Sequence, residues 1–215
     1  MYRVVAICVL ILACAFTAGA DQLIVNGGFE SGLTGWTVTD DASGSGSFFA
    51  NTGTLTPLNG FPTVGAHSGT GYAVTDQFGP GSHAISQSFA AAAGDHYTLT
   101  FSMFVNDQFG GNFGGLVYLV AGGGDPLAGI GQALYSADTI VTNGAPNPYV
   151  TETIDITGDL VGGNTYQLVF FESDSVGPVN VGVDDVSLVR TPEPAGLMPI
   201  SLALLAGFVA LRKKA

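Results

Sequence analysis

Between Asp21 and Val189 the chain has no lysine and no arginine. The five basic residues of the 215-residue sequence are Arg3, Arg190, Arg212, Lys213 and Lys214, and nearly all of the 17 acidic ones fall inside that stretch. A body of that sign repels phosphate backbones, which excludes nucleic acid as a partner and makes cations the natural ones. The same net negative charge keeps an exported domain dispersed. Cysteine is as scarce. Cys8 and Cys14 both precede Ala20, so a chain trimmed there has no disulfide. Catalytic signatures are missing too. His67, His83 and His96 are scattered, with no H-E-x-x-H pairing and no cysteine beside them, which leaves zinc without a ligand set. Gly65-Ala66-His67-Ser68-Gly69 lacks the serine-centred spacing of a nucleophile turn. Gly122-Gly123-Gly124-Asp125 occurs once, without the repeat or the following lysine that would make it a cation or phosphate loop.

Both ends carry targeting patterns. Arg3, the apolar stretch Val4 to Phe16 and the small residues Ala18-Gly19-Ala20 have the layout of a secretion signal, with cleavage expected between Ala20 and Asp21. An alternative is a lipoprotein signal acylated at Cys14, after Ile11-Leu12-Ala13. At the other end, Leu197 to Leu211 is apolar apart from Ser201, and Arg212, Lys213 and Lys214 follow at once. That is the order of a short transmembrane helix stopped by cytoplasmic positive charge. The expected organisation is a signal peptide over 1–20, one domain over 21–190 and a sorting tail over 191–215.

No amphipathic helical pattern is present in the body. Gly, Thr, Ser and Asn between short apolar runs predict strands joined by turns. Tyr97 to Met103 alternates large apolar with small polar residues, as a half-buried strand requires. Tyr166 to Phe171 begins the same way and becomes apolar on both faces, which predicts a central, covered strand. Further strands are predicted at Gln22–Val25, Gly35–Thr39, Gly71–Thr75, His83–Phe89, Leu116–Ala121, Val150–Ile156 and Asn180–Val189. The segment Phe109 to Gly115 reads as a long exposed loop. The fold class predicted is all-β, an antiparallel jelly-roll β-sandwich.

Two resemblances can be named on these residues. Pro192-Glu193-Pro194, the apolar span and the Arg-Lys-Lys end resemble a PEP-CTERM sorting signal. That resemblance implies recognition by an exosortase-type membrane protease, and export through the inner membrane to the cell surface or extracellular matrix of an exopolysaccharide-making Gram-negative bacterium. The residue types alone support an extended, proline-stiffened peptide beside a membrane.

Leu23-Ile24-Val25-Asn26-Gly27-Gly28-Phe29-Glu30, Gly35-Trp36 and the distant Val183-Asp184-Asp185-Val186-Ser187-Leu188 are similar to the framing of galactose-binding-like jelly rolls and carbohydrate-binding modules. The resemblance implies that the first and last strands run side by side and that a structural calcium joins them. Its ligands would be Glu30 and Asp184, or Asp185 in its place, with backbone oxygens near Gly28. Calcium takes six to eight oxygens, carboxylates and carbonyls among them, so the residue types suit it. Without a cation, Glu30 starts a turn and Asp184-Asp185 form a bulge. Trp36 is expected in the framework, and Tyr72, Tyr118, Phe109 and Phe113 are the candidate sugar contacts. The function expected is non-catalytic: a surface or matrix protein associating with exopolysaccharide. A structural or adhesive envelope protein without sugar specificity and a secreted glycan hydrolase are the alternatives.

Overall fold

The computed structural model describes residues 19–108, 113–128, 131–137, 142, 145–175 and 177–193, with residues 113 and 114 described for backbone only. The predicted signal stretch up to Ala18, Pro194 of the predicted sorting motif, the apolar run after it and the basic residues Arg212, Lys213 and Lys214 lie outside them. Among the described residues, no helix is long and apolar enough to cross a membrane.

The described residues form eleven strands and one short 3-10 turn at Thr157–Asp159. They are β1 (Asp21–Gln22), β2 (Thr37–Asp40), β3 (Ser47–Asn51), β4 (Tyr72–Asp76), β5 (Gly81–Ala90), β6 (His96–Asp107), β7 (Phe113–Ala121), β8 (Gln132–Ser136), β9 (Val150–Asp155), β10 (Thr165–Asp174) and β11 (Val179–Thr191). One sheet has the order β3-β4-β11-β6-β9, with β1 also on β11; the other has the order β2-β5-β10-β7-β8. From β4 to β7, and again from β8 to β11, the chain crosses between sheets at every connection, and every pairing is antiparallel. This is the expected jelly-roll sandwich, which leaves few free sheet edges.

The strand patterns explain the layers. On β6, Tyr97, Leu99, Phe101, Met103 and Val105 enter the core, while Thr100 and Ser102 face outward and bond to Thr153 and Thr151 of β9 at 3.1 and 2.8 Å. β10 lies at the centre of its sheet, between β5 and β7. Leu168 and Phe170 meet the core; Val169 and Phe171 are buried on the opposite face with Tyr118, Val120 and Ala84. Burying side chains of this size contributes about 1.5–3 kcal/mol each. Of the predicted loop, Phe113–Gly115 belong to β7, and residues 109–112 lie outside the described residues. Strands β3 and β8 were not predicted; both lie at sheet edges, where burial leaves little pattern.

The outer face of the first sheet is strapped by the chain between β3 and β4. Tyr72, Val74 and Phe104 are buried there with Ala66 and Tyr149 against them. The strap is fastened by the buried Asp76, whose carboxylate accepts from the main-chain amides of Leu58 and Asn59 and, at 2.8 Å, from Asn59 Nδ2. Asp76→Ala removes the acceptor and leaves these amides without it. We expect a loss of about 3 kcal/mol, since bonds to a charged group contribute about 1.5–3 kcal/mol each. Limited proteolysis checks it: new cuts should fall between β3 and β4.

Candidate functional site

The first and last strands do run side by side, with Asp21 opposite Arg190 and Gln22 opposite Val189. Beyond Gln22 the chain continues along β11 through Leu23 N–H to Leu188 O at 2.8 Å, then turns at Asn26 to Glu30. Asn26 and Phe29 both take a left-handed backbone, with φ of 53° each. The Asn26 side chain stabilises this turn, donating to Gly32 O and Thr34 O and accepting from Ser31 N–H. Phe29 is buried and stacks on Trp36 at 5.3 Å between ring centroids, and Trp36 Nε1 donates to Asn26 O. Trp36 is therefore framework, as its position in the motif implies.

The turn sits on a bulge in β11. Register shifts between Asp184 and Ser187, and Asp185 has a φ of 51°. The three carboxylates of the two motifs all reach one loop, His67 to Gly71. Glu30 accepts from Thr70 N–H at 2.8 Å, Thr70 Oγ1 at 2.8 Å and Gly71 N–H at 2.9 Å. Asp184 accepts from the amides of His67, Ser68 and Asp185. Asp185 meets His67 Nδ1 and Ser68 Oγ, each at 2.6 Å. Gly28 faces the same place, since a Cβ there would lie 3.9 Å from Asp185 Oδ1.

Glu30 thus binds one end of the loop at Thr70 and Gly71, and Asp184 and Asp185 bind its other end at His67 and Ser68, in each case through N–H and O–H donors. A calcium shell needs oxygens turned toward the ion. Here the amides of 67–71 supply the positive partial charge, and the described residues contain no group of three or more His, Cys, Asp or Glu side chains able to hold a metal. This donor set does not fit a cation; it is a clasp of carboxylates on main-chain amides. The signal for it was the Gly-Ala-His-Ser-Gly-Thr-Gly run, which carries no side-chain pattern to announce its partners.

The clasp has a pH signature. The Gly71 and Thr70 amides, with the Thr70 hydroxyl, hold the Glu30 carboxyl below its usual range. Burial pushes Asp184 the other way, against the amides of Ser68, Asp185 and His67. A lowered carboxyl stabilises the fold above its unfolded value, and that contribution is lost as pH falls through the folded value. The stability difference between wild type and Glu30→Gln is therefore expected to hold steady near neutrality and to close in acid, below about pH 4. Melting curves across that range check it.

The expected aromatic platform is not found in the described tyrosines. Tyr72 is fully buried, its hydroxyl shared with Thr63, Asn51 and Gly53. Tyr118 is buried beside Phe171, and its hydroxyl donates to Pro126 O. Phe109 and the Phe113 side chain lie outside the described residues.

Among the open clefts formed by the described residues, two lie at β8. The larger, about 420 Å³, lies at β7 and β8 beneath the connection that follows β7. It is lined by Leu119, Val120, Ala121, Asp125, Gln132 and Tyr166 among others. The connection is held down by Gln167 Nε2, which donates to Gly124 O at 2.9 Å, while Asp125 accepts from Leu127 N–H at 2.8 Å. The second, about 300 Å³, opens between edge strands β8 and β9 and is lined by Met103, Tyr135, Asn147 and Val150 among others. Neither cleft is visible in the sequence: the first is shaped by how the connection after β7 folds back over that strand, and the second joins edge strands β8 and β9 of different sheets.

No protein-family model and no curated protein matches the sequence. Solved structures do match. The carbohydrate-binding module TmCBM61, in complex with β-1,4-galactotriose, aligns at 17% identity with a TM-score of 0.51, over 79% of this chain and 99% of that one. The likeness is one of fold. The K3 cleaved adhesin domain of Lys-gingipain from Porphyromonas gingivalis W83 aligns at 18% identity with a TM-score of 0.52, over 80% and 99%. The Stig cyclase Fisc from Fischerella sp. TAU, in complex with an indole ligand, aligns at 18% with a TM-score of 0.50, over 83% and 100%. A sugar-binding module, an adhesin domain and a cyclase share this sandwich, so function must be argued from sites.

Proposed function

We propose that this is a non-catalytic exported protein, sorted to the surface or matrix by an exosortase-type system through its Pro192-Glu193-Pro194 tail, whose sandwich associates with exopolysaccharide. The observation that carries the sugar-binding half is the cleft at β7 and β8. Its apolar lining suits the C–H face of a sugar ring, and the Asp125 carboxylate and Gln132 amide in the same lining can bond to ring hydroxyls. Hydrolysis calls for two carboxyl groups flanking a glycosidic bond; the lining of this cleft contributes Asp125 alone. The lysine-free body supports a neutral or cation-bridged polysaccharide over a polyanion bound directly.

Asp125→Ala combined with Gln132→Ala alters exposed side chains only, so the melting temperature should stay within about 2 °C of wild type. Binding to the host's exopolysaccharide should fall about tenfold, the effect of losing roughly 1.4 kcal/mol of hydrogen bonding. Unchanged binding removes the cleft from the account. Mass spectrometry of the native protein tests the address: the first residue should be Asp21, and a mass retaining residues 1–20 contradicts it.

A further inference from the structure

The opposite end of the sandwich carries a second acidic set that neither motif includes. The alternation that turns Leu168 and Phe170 of β10 inward also turns Glu172 and Asp174 inward, and they are 0% and 3% exposed. Across the sheet, Glu172 faces His83 on β5 and Gly115 on β7. His83 has both ring nitrogens engaged elsewhere, Nδ1 at 2.8 Å from Asp40 Oδ1 and Nε2 at 2.9 Å from Ser45 O. Gly115 has no side chain to offer.

From the end of β4, Gln77 reaches the same place. It is 1% exposed, and its amide lies beside the Glu172 carboxylate without closing a normal hydrogen bond. Both oxygens of Glu172 and both polar atoms of Gln77 lack hydrogen-bond partners. A buried carboxylate left in this state costs several kcal/mol. Among the described residues no Lys or Arg compensates it: Arg190, the only one there, is bound to Asp21 and Asp95.

We infer that Glu172, Asp174 and the amide oxygen of Gln77 form the inner part of a site for a hard divalent cation of the calcium type. All three donors are oxygens, two of them carboxylate, which is the ligand chemistry calcium takes and softer metals do not require. Two acids are fewer than a tight site uses, so water and main-chain oxygens complete the shell and affinity falls in the weak range of extracellular calcium modules, about 10⁻⁴–10⁻³ M. Such a cation stabilises the end of the sandwich where β4, β5 and β10 meet. A proton is the competing solution. Burial, with Asp174 adding to it, raises the affinity of Glu172 for one. One proton, however, neutralises a single carboxyl and leaves part of the Gln77 amide unbonded.

The test is thermal melting of the full chain near neutral pH in calcium chloride at about 10 mM, or in chelator. Wild type and Glu30→Gln should both gain about 5 °C with calcium. Glu172→Gln and Asp174→Asn should gain less than about 1 °C, because the carboxamides keep the shape and remove the charge. Titration calorimetry of wild type with calcium alone should find one site per chain, which gives a readout independent of any variant. A full calcium shift in Glu172→Gln, or no shift and no binding in wild type, overturns the proposal in favour of the proton.

Discussion

Gly27→Ala is expected to destabilise the protein by about 3 kcal/mol or more, lowering its melting temperature by roughly 6–12 °C. The position is not strained in dihedral angle; the cause is contact. A Cβ at Gly27 would fall 1.8 Å from Val186 O and 2.8 Å from Val186 C. Both are main-chain atoms of the β11 bulge, and Val186 N–H donates to Gly27 O at 3.0 Å. Relief requires the first and last strands to part, which breaks that bond and pulls the Asn26–Glu30 turn off the loop that Glu30 holds. Gly158→Ala is the control. A Cβ there meets nothing within 4 Å, and the melting temperature should move by no more than about 1–2 °C. Scanning calorimetry of the two variants beside wild type measures the difference.

The second large effect is Phe170→Ala. This side chain is fully buried on the central strand of its sheet, edge-on to Phe101 at 5.4 Å and to Trp36 at 6.0 Å between centroids. Its removal deletes a ring that spans the two layers, and the rigid strands on either side cannot collapse into the space. A loss of about 3–5 kcal/mol is expected. Trp36 is the only tryptophan, so its emission reports on the same event: denaturant unfolding followed by fluorescence should show an earlier midpoint, with a red-shifted folded baseline as water nears the indole.

These positions show how much the sequence discloses and where it stops. Alternation at Tyr97 to Met103 and the doubly apolar Tyr166 to Phe171 identify the strands that become β6 and β10, because burial imposes pattern most strongly at sheet centres. β3 and β8 are edge strands with mixed exposure, and their short runs carry no period. The first and last motifs predict their own adjacency, and Glu30, Asp184 and Asp185 all bind the one loop 67–71. The motifs do not predict these peptide amides as partners, since the loop 67–71 contributes main chain, and main chain has no sequence signature.

The aromatic residues illustrate the same limit. Tyr72 and Tyr118 have the composition of a sugar platform, yet each is buried on the outer side of its sheet, Tyr72 under the strap between β3 and β4 and Tyr118 against Phe171. Which face of a strand stays wet depends on what crosses over it later in the chain. Glu172 and Asp174 are hidden for a related reason. They extend the inward phase of β10 past Phe171, where a sequence reading ends the strand at the last apolar residue. The polar cleft residues Asp125 and Gln132 lie in turn-rich and edge segments, and the path of the connection after β7 brings them into one lining.

The measurement closest to the central claim is affinity electrophoresis of the full chain through gels that contain the host's exopolysaccharide. Retardation that grows with polysaccharide concentration, weakened about tenfold by Asp125→Ala with Gln132→Ala, is the expected result. Migration of the wild-type protein unchanged at every concentration contradicts the claim and leaves an envelope protein without sugar specificity.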